Sequence, residues 1–588
     1  MLGDPLLDWL ELCGEAHGFV RDHDLPGYDP RTDFCRFLME KGRAFEAAVL
    51  RLLRNRCEIV PIGESAQDSR DPDKARETVE SMKAGVEVIH CAVLHDEPTR
   101  TYGMPDLLVR GDVLERLFPG VYALELERQS DEEGCAPDAP ARLVAPRLGG
   151  THHYRVVDIK FTGLHLATSG ELGNGGSGLA YKAQLFLYNR ALGSAQGLIP
   201  PAAFLLGRSW EQGEDGGRSC FERLAPVFQT GTVTRKEPVA DAANAAVAWV
   251  RRVRQDGAHW SVDPEPCIPE LRPNMKYLQD SCWHAAKKQI ASRTRELTSL
   301  WVLGAEKRDA LLVREPPITR WDHPDLCAEV AGIRGEVNGP RFDALLDVNR
   351  DPSGPAVRPA RVTLAEEQWR RPEALEFFVD FETVNDCDDD FSQLPARGGQ
   401  PLIFMVGCGH LEDGRFVFRC FAADALTEAA EAEVVECWLG HMEEVQRRLG
   451  FVGSPRVFHW SPAEESAYAT AYNSAKARHP DRAWPDPRLF DFLNVVVRKE
   501  PVVVRGALGF GLKAIGKAMH ALGLVGTSWA DGPTDGLGAM VGAWSAAAEA
   551  RRSGVALGQV ELMREIERYN EVDCRVMAEV IGYLRAHH

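Results

Sequence analysis

The sequence predicts an α/β protein of several domains, and three observations support that prediction. The chain has 588 residues, which exceeds the usual size of a single domain. Short apolar runs typical of strands alternate with amphipathic helical patterns in the first and last parts of the chain. Clusters of proline and glycine at 263–273 and 351–359 separate these parts. We therefore predict an α/β domain over 1–262, a mostly helical middle segment over 263–365, and a second α/β domain over 366–588.

Composition narrows the class of protein. The chain is 44% hydrophobic and 26% charged, which is typical of a globular protein with an ample core. It has no apolar run long enough to cross a bilayer, and its first residues, MLGDPLLDWLELCG, lack the basic segment of a signal peptide. Its 14 cysteines include no CxxC pair, a pattern that favours a reduced, cytoplasmic protein over a disulfide scaffold.

The net charge of −19, taken alone, argues against nucleic acid as a partner. Acids that bind a metal ion count toward this net charge, although the bound ion offsets them. The net charge therefore does not exclude nucleic acid. Basic residues also cluster locally at 41–56, 251–255 and 284–295. Such runs are most often solvated helix faces, and contact with phosphate groups is the alternative.

The stretch EFFVDFETVND, residues 376–386, predicts a strand that carries two acids. The period of two along a strand places Asp380 and Glu382 on the same face. Two neighbouring carboxylates repel each other and are costly to bury unless a positive charge compensates them. A divalent metal ion is the compensating charge that we predict.

Two later strands bring further acids. The run RVFHW, residues 456–460, predicts a strand, and Ser461 and Pro462 after it are typical of a helix start, which places Glu464 in the first turn. The run RLFDFLNVVVRK predicts a strand that ends in Asp491, with a helix behind it. Both acids are therefore candidates for the same metal site.

A long amphipathic helix is predicted over 565–584, EIERYNEVDCRVMAEVIGYL. Tyr569 and Asp573 lie four residues apart and so share one face of it. Mg²⁺ prefers carboxylate oxygens and water, and two such ions can clamp the attacking and leaving oxygens of a phosphodiester. The acids on the predicted strands, together with Asp573, would supply that clamp. Tyr569 would orient the attacking water.

This part of the chain resembles the RNase H-like domains of the DEDD 3′–5′ exonuclease superfamily, in the subtype with a Tyr-x-x-x-Asp last motif. DFE matches the first motif, YNEVD the last, and GALGFGLKAIGKAM (506–519) resembles a Ser-Leu-Lys-Ala-Val helix of that family. The middle motif departs from the family pattern: HWSPAEE offers Glu464 or Glu465 there, and Asp491 is a further alternative, with Glu464 preferred. The metal ligands that the resemblance implies are Asp380, Glu382, Asp573 and either Glu464 or Asp491.

The first α/β domain has a second set of charged residues. Asp106 follows Pro105 in the strand pattern RTYGMPDLLVRGDVL, and HYRVVDIKFTG is a strand in which Asp158 and Lys160 share a face. Two carboxylates can hold a metal ion, while a lysine beside them orients and deprotonates a water or neutralises developing charge. Helical patterns on either side of these strands supply three further residues: Glu46, Gln184 and Tyr188.

Taken in order, PD, VVDIK and QxxxY resemble the PD-(D/E)xK superfamily, and within it the RecB-like nucleases. The resemblance implies a restriction-endonuclease-like fold with Asp106, Asp158 and Lys160 at the site. Gly42 and Glu46 match the first-motif helix of these nucleases, and Gln184 and Tyr188 match their last motif. The sequence between Asp106 and Asp158 is longer than the family pattern, and we interpret 127–150 as an inserted, flexible loop.

Two further features are less informative. Some relatives of this kind hold an iron–sulfur cluster, but the tight late spacing of its ligands is missing among Cys35, Cys220, Cys267 and Cys282, which argues against a cluster. Residues 294–325 faintly resemble a helix–hairpin–helix, which would hold a nucleic-acid backbone. The alternative, a helical packing module between domains, is favoured.

The two resemblances imply a Mg²⁺- or Mn²⁺-dependent nuclease with two active sites, acting in repair, turnover or defence. We predict single-stranded DNA ends as substrate in preference to RNA, with Phe381 and Trp460 as stacking surfaces for bases. No Walker A motif occurs, so any helicase partner would be a separate chain. The alternatives are a scaffold that binds nucleic acid without cutting it, and an enzyme that cleaves a small phosphodiester.

Overall fold

The computed structural model describes residues 2–133, 140–217, 219–233, 237–384, 402–461, 467–529 and 536–588. These residues form two compact units of mixed helices and sheets, so the predicted α/β class and the presence of more than one domain are confirmed. The first unit is built from Phe37–Gln255. The described residues of the second unit lie within 3–36, 256–384 and 402–588.

The described α-helices range from 4 residues in the shortest to 27 in the longest. In chain order they are α1 (Pro5–Trp9), α2 (Phe34–Leu53), α3 (Pro72–Lys83), α4 (Gly111–Leu117), α5 (Ala123–Glu133), α6 (Gly178–Gln196), α7 (Val239–Asp256), α8 (His284–Thr294), α9 (Ala305–Leu312), α10 (Asn338–Arg350), α11 (Glu366–Trp369), α12 (Glu428–Arg448), α13 (Ala467–Arg478), α14 (Leu512–Ala521), α15 (Gly536–Ser553) and α16 (Glu561–His587). None of the described helices combines the length and the apolar composition that crossing a membrane requires.

Most of the described strands are short, and the three longest, all in the second unit, have 9, 11 and 8 residues. In chain order they are β1 (Ile59–Pro61), β2 (Val88–His90), β3 (Leu94–Asp96), β4 (Thr101–Gly103), β5 (Leu107–Arg110), β6 (Tyr154–Ile159), β7 (Gly163–His165), β8 (Ala202–Leu206), β9 (Ser209–Gln212), β10 (Asp215–Gly217), β11 (Ala225–Phe228), β12 (Val357–Arg358), β13 (Glu376–Val384), β14 (Leu402–Glu412), β15 (Arg415–Ala422), β16 (Arg456–His459), β17 (Arg488–Asp491) and β18 (Val503–Val504).

A six-stranded sheet forms the centre of the first unit, in the order β1-β2-β5-β6-β8-β11. The pairs β1–β2 and β6–β8 are parallel, and the others are antiparallel. Successive side chains of a strand point to opposite faces. Accordingly, Val157 of β6 packs in one core with Phe45 of α2, whereas Val156 packs in a second core with Leu185 of α6. The sheet is therefore covered on both faces.

A five-stranded sheet forms the centre of the second unit, in the order β15-β14-β13-β16-β17. Strands β13, β14 and β15 are antiparallel neighbours, while β16 and β17 run parallel to β13. Phe378 of β13 shares one buried core with Val576 and Val580 of α16. The apolar stripe of α16 therefore lies against the central strand of this sheet, as its helical pattern requires.

The middle segment, 263–365, packs within the second unit. Its described α-helices are α8, α9 and α10, joined by turns and irregular stretches, so helix is less extensive there than the sequence pattern predicts. Val357 of β12 pairs with Val504 of β18, and the Trp301 amide donates a hydrogen bond to the Leu508 carbonyl at 2.9 Å. These main-chain bonds join the middle segment to the C-terminal part of the chain.

The predicted inserted loop over 127–150 is wrong for its first part. Helix α5 continues to Glu133, residues 134–139 lie outside the described residues, and a 3₁₀ turn follows at Pro140–Arg142. The helix is anchored by Glu125, whose carboxylate accepts hydrogen bonds of 3.0 and 2.9 Å from the buried Arg155 guanidinium. This partner lies on β6, and local sequence does not identify it.

Candidate functional site

Three carboxylates of the second unit converge at the contact between β13 and α16. One oxygen from each of Asp380, Glu382 and Asp573 lies within 4.8 Å of the others, a group that could hold a metal ion. The side chains of Asp380 and Glu382 lie on the same face of β13 as that of Phe378, which packs against α16. Asp573 precedes the core residue Val576 by three positions, so both lie on the face that α16 turns to β13.

Burial and mutual repulsion define the electrostatics of this group. Glu382 and Asp573 are each only 7% exposed. Burial, followed by the charge of Asp380, raises the pKa of both carboxyls well above their ordinary range, and the Lys513 ammonium partly opposes that effect. An additional positive charge among the three oxygens would reverse the shift. The donor set therefore fits a hard divalent cation.

Neighbouring side chains hold two of the acids in place. Asn570 donates a hydrogen bond of 2.8 Å from Nδ2 to Oδ2 of Asp380. The Trp529 indole donates one of 2.9 Å from Nε1 to Oδ1 of Asp573, and the Tyr569 hydroxyl also hydrogen-bonds that carboxylate. The sequence analysis identified Tyr569 but not the other two donors. Asn570 could have been found, because it shares a helix face with Asp573 at a spacing of three residues.

Lys513 completes the surroundings of the acids. It lies on α14, and its ammonium is 4.6 Å from the centre of the Tyr569 ring, a cation–π contact. The pattern of 506–519 predicts the helix but not this contact. Because Lys513 is far in sequence from every acid that it influences, no local spacing could have identified it.

A glycine on the neighbouring strand makes room for this arrangement. Gly407 of β14 pairs directly with Asp380 of β13. A Cβ atom added at Gly407 would lie 1.6 Å from Oδ1 and 2.8 Å from Cγ of Asn570, distances at which something must move. The absent side chain therefore allows Asn570 to reach the carboxylate of Asp380.

The two candidates for a further acidic ligand have different outcomes. Glu464, together with Pro462, lies outside the described residues, and the helix after Ser461 is described from Ala467 onward. Asp491 ends β17, as predicted, and a π-helical segment follows it.

The carboxylate of Asp491 accepts hydrogen bonds of 3.0 and 2.9 Å from the backbone N–H and Nδ2 of Asn494. Among the described residues it is not part of the group formed by Asp380, Glu382 and Asp573. Its partner on β16 is His459, whose pKa burial lowers to about 4 although Asp491 opposes the shift.

The predicted stacking role of Phe381 and Trp460 is wrong. Phe381 is 8% exposed and packs edge-on against Trp438, with ring centres 5.2 Å apart. Trp460 is 4% exposed, lies in the apolar core and donates a hydrogen bond to the Phe510 carbonyl. Adjacency in sequence to an acid or a strand end does not determine exposure, and here both rings stabilise the core.

Asp106, Asp158 and Lys160 come together in the first unit, at one end of β5 and β6. The Lys160 ammonium lies 2.6 Å from Oδ2 of Asp158 and 3.8 Å from Oδ2 of Asp106. The Ile159 amide donates a hydrogen bond of 2.6 Å to Oδ2 of Asp106. Asp106 immediately precedes β5 and Asp158 lies on β6, its antiparallel neighbour, which brings the two acids side by side.

The charges of this group oppose one another. Burial raises the pKa of Asp106 well above its ordinary range; Asp158 and Glu46 add to that shift, and Lys160 opposes it. Burial disfavours the charged form of Lys160, yet the attraction of Asp158 and Asp106 raises its pKa above the ordinary value. The lysine therefore remains an ammonium and partly neutralises the two carboxylates.

Gln184 and Tyr188 lie on α6, on the face of the sheet to which Asp158 belongs. Nε2 of Gln184 donates a hydrogen bond of 2.9 Å to the Tyr188 hydroxyl. Burial, reinforced by the charge of Asp158, raises the pKa of Tyr188 to about 12, so the phenol stays protonated at neutral pH. Gly103 of β4 provides the space, because a Cβ there would lie 2.3 Å from the Tyr188 ring.

Glu46 contacts residues that the sequence analysis did not single out. Its Oε1 lies 3.0 Å from Nε2 of His90, which is 3.3 Å from Sγ of Cys91. The donor atoms of these three residues lie within 4.8 Å of one another. A lone histidine and a lone cysteine at the end of a short strand carry no sequence signal of a shared site.

Comparison with known proteins assigns the chain to no family. No protein-family model, no curated protein and no solved structure matches it.

Proposed function

We propose that this chain is a divalent-metal-dependent nuclease with two separate active sites. The observation that carries the proposal is the convergence of Asp380, Glu382 and Asp573, three acids from two distant parts of the sequence, on one partly buried point. Burying three carboxylates together is costly unless a cation binds them. A site that retains this cost is more typical of function than of structural packing.

The site of the second unit would act on phosphodiesters as a DEDD-type exonuclease. Asp380, Glu382 and Asp573 would hold Mg²⁺ or Mn²⁺, with Glu464, the preferred candidate for the middle motif, as a further ligand. The bound metal would supply a lowered pKa for water and a counter-charge for the phosphate oxygens. The Tyr569 hydroxyl, which hydrogen-bonds Asp573, would position the attacking water. Support comes from the motifs DFE and YNEVD and from the mixed five-stranded sheet that carries them.

The site of the first unit would act as a PD-(D/E)xK-type nuclease of the RecB-like group. Asp106 and Asp158 would hold the metal ion, and the Lys160 ammonium would orient the water or offset the charge that develops on the phosphate. Three residues would support these: Glu46, Gln184 and Tyr188. The ion pair of 2.6 Å between Lys160 and Asp158 supports this assignment, because the lysine lies beside an oxygen that would bind the metal.

DNA ends remain the first substrate that we propose, with RNA as the alternative. Because Phe381 and Trp460 are buried, stacking of bases on these rings no longer favours a single strand. Nucleic acid is favoured because the chain has two acidic sites, and each of them suits the cleavage of a phosphodiester. A separate helicase chain remains a proposed partner of the first unit.

A cleavage assay tests the proposal directly. End-labelled single- and double-stranded DNA and RNA, together with a small phosphodiester, would be incubated with Mn²⁺ and the wild type, Lys160→Ala, Asp380→Ala or the double mutant. The matched controls are Lys83→Ala and Glu567→Ala, which change exposed residues on α3 and α16. Each single mutant should lose a different set of products, and the double mutant should lose both.

Three results would contradict the proposal. Activity of the double mutant equal to wild type would show that the site residues are wrong. Absence of cleavage of every polymer, with tight binding of one of them, would favour the scaffold. Turnover of the small phosphodiester alone would favour an enzyme that acts on small substrates.

A further inference from the structure

Three different types of donor atom meet beside Asp106 in the first unit. Glu46 comes from α2, His90 is the last residue of β2, and Cys91 follows it directly. Nε2 of His90 lies 3.0 Å from Oε1 of Glu46 and 3.3 Å from Sγ of Cys91. A carboxylate, an imidazole and a thiol thus face a common point, whereas the neighbouring pair of Asp106 and Asp158 offers only oxygen.

Hydrogen bonding alone does not account for this arrangement. An imidazole nitrogen offers either one proton or one lone pair, directed along a single line in the ring plane. Glu46 and Cys91 both approach that same nitrogen, so it can satisfy only one of them well. A cation among the three atoms would satisfy all of them at once.

The distances fit an ion of the size of zinc. Zinc bonds of about 2.0–2.1 Å to nitrogen, 2.0–2.2 Å to oxygen and 2.3 Å to sulfur place neighbouring ligand atoms of a tetrahedral site roughly 3.4–3.6 Å apart. The observed separations of 3.0 and 3.3 Å need to widen by only a few tenths of an ångström. Three protein ligands leave a fourth position for water, and the nitrogen and sulfur donors disfavour Mg²⁺.

Main-chain bonds hold the thiol in place. Cys91 has a φ of +50°, a left-handed conformation that is uncommon for a residue other than glycine. Its N–H donates to the Asp106 carbonyl at 2.9 Å, and its own carbonyl accepts from the Gly63 N–H at 3.0 Å. The strained residue is therefore fixed on both sides, and its position is coupled to the backbone of Asp106.

We infer that Glu46, His90 and Cys91 form a binding site for a transition-metal ion of the zinc type, distinguished by its nitrogen and sulfur donors from the oxygen-only positions at Asp106 and Asp158. The inference does not depend on nuclease activity, because it concerns the three donors and not the reaction. If the nuclease proposal holds, the two sites share Glu46 and lie side by side.

Cobalt spectroscopy on the full-length, reduced, metal-free protein tests this inference. Co²⁺ is the probe, added in the presence of excess Mg²⁺, and the absorption of a cobalt–thiolate bond and of tetrahedral Co²⁺ is recorded. The wild type should develop both signals, and Zn²⁺ should abolish them. Cys91→Ser should lose the thiolate signal, and His90→Ala should lower the affinity by about 100-fold or more.

A matched control separates this thiol from the others. Cys57 of the same unit is partly buried, and its thiol donates to the Leu53 carbonyl, a bond that a serine can keep. Cys57→Ser should retain the full spectrum. Circular dichroism of each variant without metal checks that it folds, and His90→Gln replaces Cys91→Ser if the latter does not.

The inference is overturned if the wild type shows no cobalt–thiolate absorption, or if Cys91→Ser retains it. Failure of the nuclease proposal is distinguishable from this result. In that case Lys160→Ala and the wild type would cleave equally, while the cobalt spectrum would be unaffected.

Discussion

The acidic clusters of the two units differ in how their charge is compensated. In the first unit, Lys160 lies 2.6 Å from Asp158 and 3.8 Å from Asp106, so a built-in cation offsets part of the charge. In the second unit, three carboxylates meet, and Lys513 acts on them while it contacts the Tyr569 ring. The second unit should therefore depend more strongly on bound metal for both activity and stability.

The largest expected effect is on activity. Asp573→Asn keeps the shape of the side chain but removes one of three charges, so products of the second unit should fall by about 10²–10³-fold, the range found when one preorganised electrostatic group is lost. Products of the first unit should be unchanged. Single-turnover cleavage with Mn²⁺ measures both, and equal loss of the two product sets would erase the distinction between the units.

Removal of the metal should lower the thermal stability of the second unit more than that of the first. Mn²⁺ at 100 times its Kd stabilises a folded site by about 2.7 kcal/mol, and EDTA removes that contribution. We expect the larger shift in thermal unfolding for the second unit, and its loss in Asp573→Asn. Glu567→Gln, an exposed acid on the same helix, is the control and should keep the shift.

The stability of the metal-free protein should depend on pH through the buried carboxyls of the second unit. Burial raises the pKa of Glu382 and Asp573, so the folded protein keeps protons that the unfolded chain releases as the pH rises above the ordinary carboxyl range. The contribution of these two carboxyls to stability should be greatest below that range and be lost as the pH rises through their folded pKa values, by about 1.4 kcal/mol for each unit by which the folded pKa exceeds the unfolded pKa.

Thermal unfolding in EDTA across pH 4 to 8 measures this slope. Glu382→Gln should flatten it, because the amide does not titrate. A slope that is unchanged in Glu382→Gln would show that other groups cause the pH dependence.

Substitution of the glycine beside each cluster should have an intermediate effect on stability. Gly407→Ala would force Asn570 away from Asp380, and Gly103→Ala would displace the Tyr188 ring, each destabilising its unit by about 1–3 kcal/mol. Gly509→Ala and Gly175→Ala are the controls, since a Cβ at either meets nothing within 4 Å. Denaturant unfolding measures the difference, and neutral results at Gly407 and Gly103 would show that the neighbours relax freely.

The smallest expected effect concerns a single hydrogen bond. Tyr569→Phe removes the hydroxyl that bonds Asp573, a loss of about 0.5–1.5 kcal/mol, or roughly 2- to 12-fold in rate. Steady-state cleavage by the second unit measures it. Tyr188→Phe is the counterpart in the first unit, and an effect of Tyr569→Phe that appears only in first-unit products would contradict the assignment.

Much of each candidate site follows from short-range periodicity. The spacing of two in Asp380 and Glu382 and of four in Tyr569 and Asp573 places each pair on one face of its element, and the structure has them on β13 and α16. The partners were harder to predict. Trp529 hydrogen-bonds Asp573 although 44 positions separate them in the sequence. The spacing rules of helices and strands do not predict contacts over such a distance.

The sequence by itself determined the α/β class, the main strands and helices of the two clusters, and the pairs of side chains that share a face. Those properties depend on backbone geometry that repeats every two or 3.6 residues. Tertiary structure alone decided that α16 brings Asp573 to β13 and that His90 and Cys91 meet Glu46. These outcomes depend on how apolar faces pack, which the local pattern does not encode.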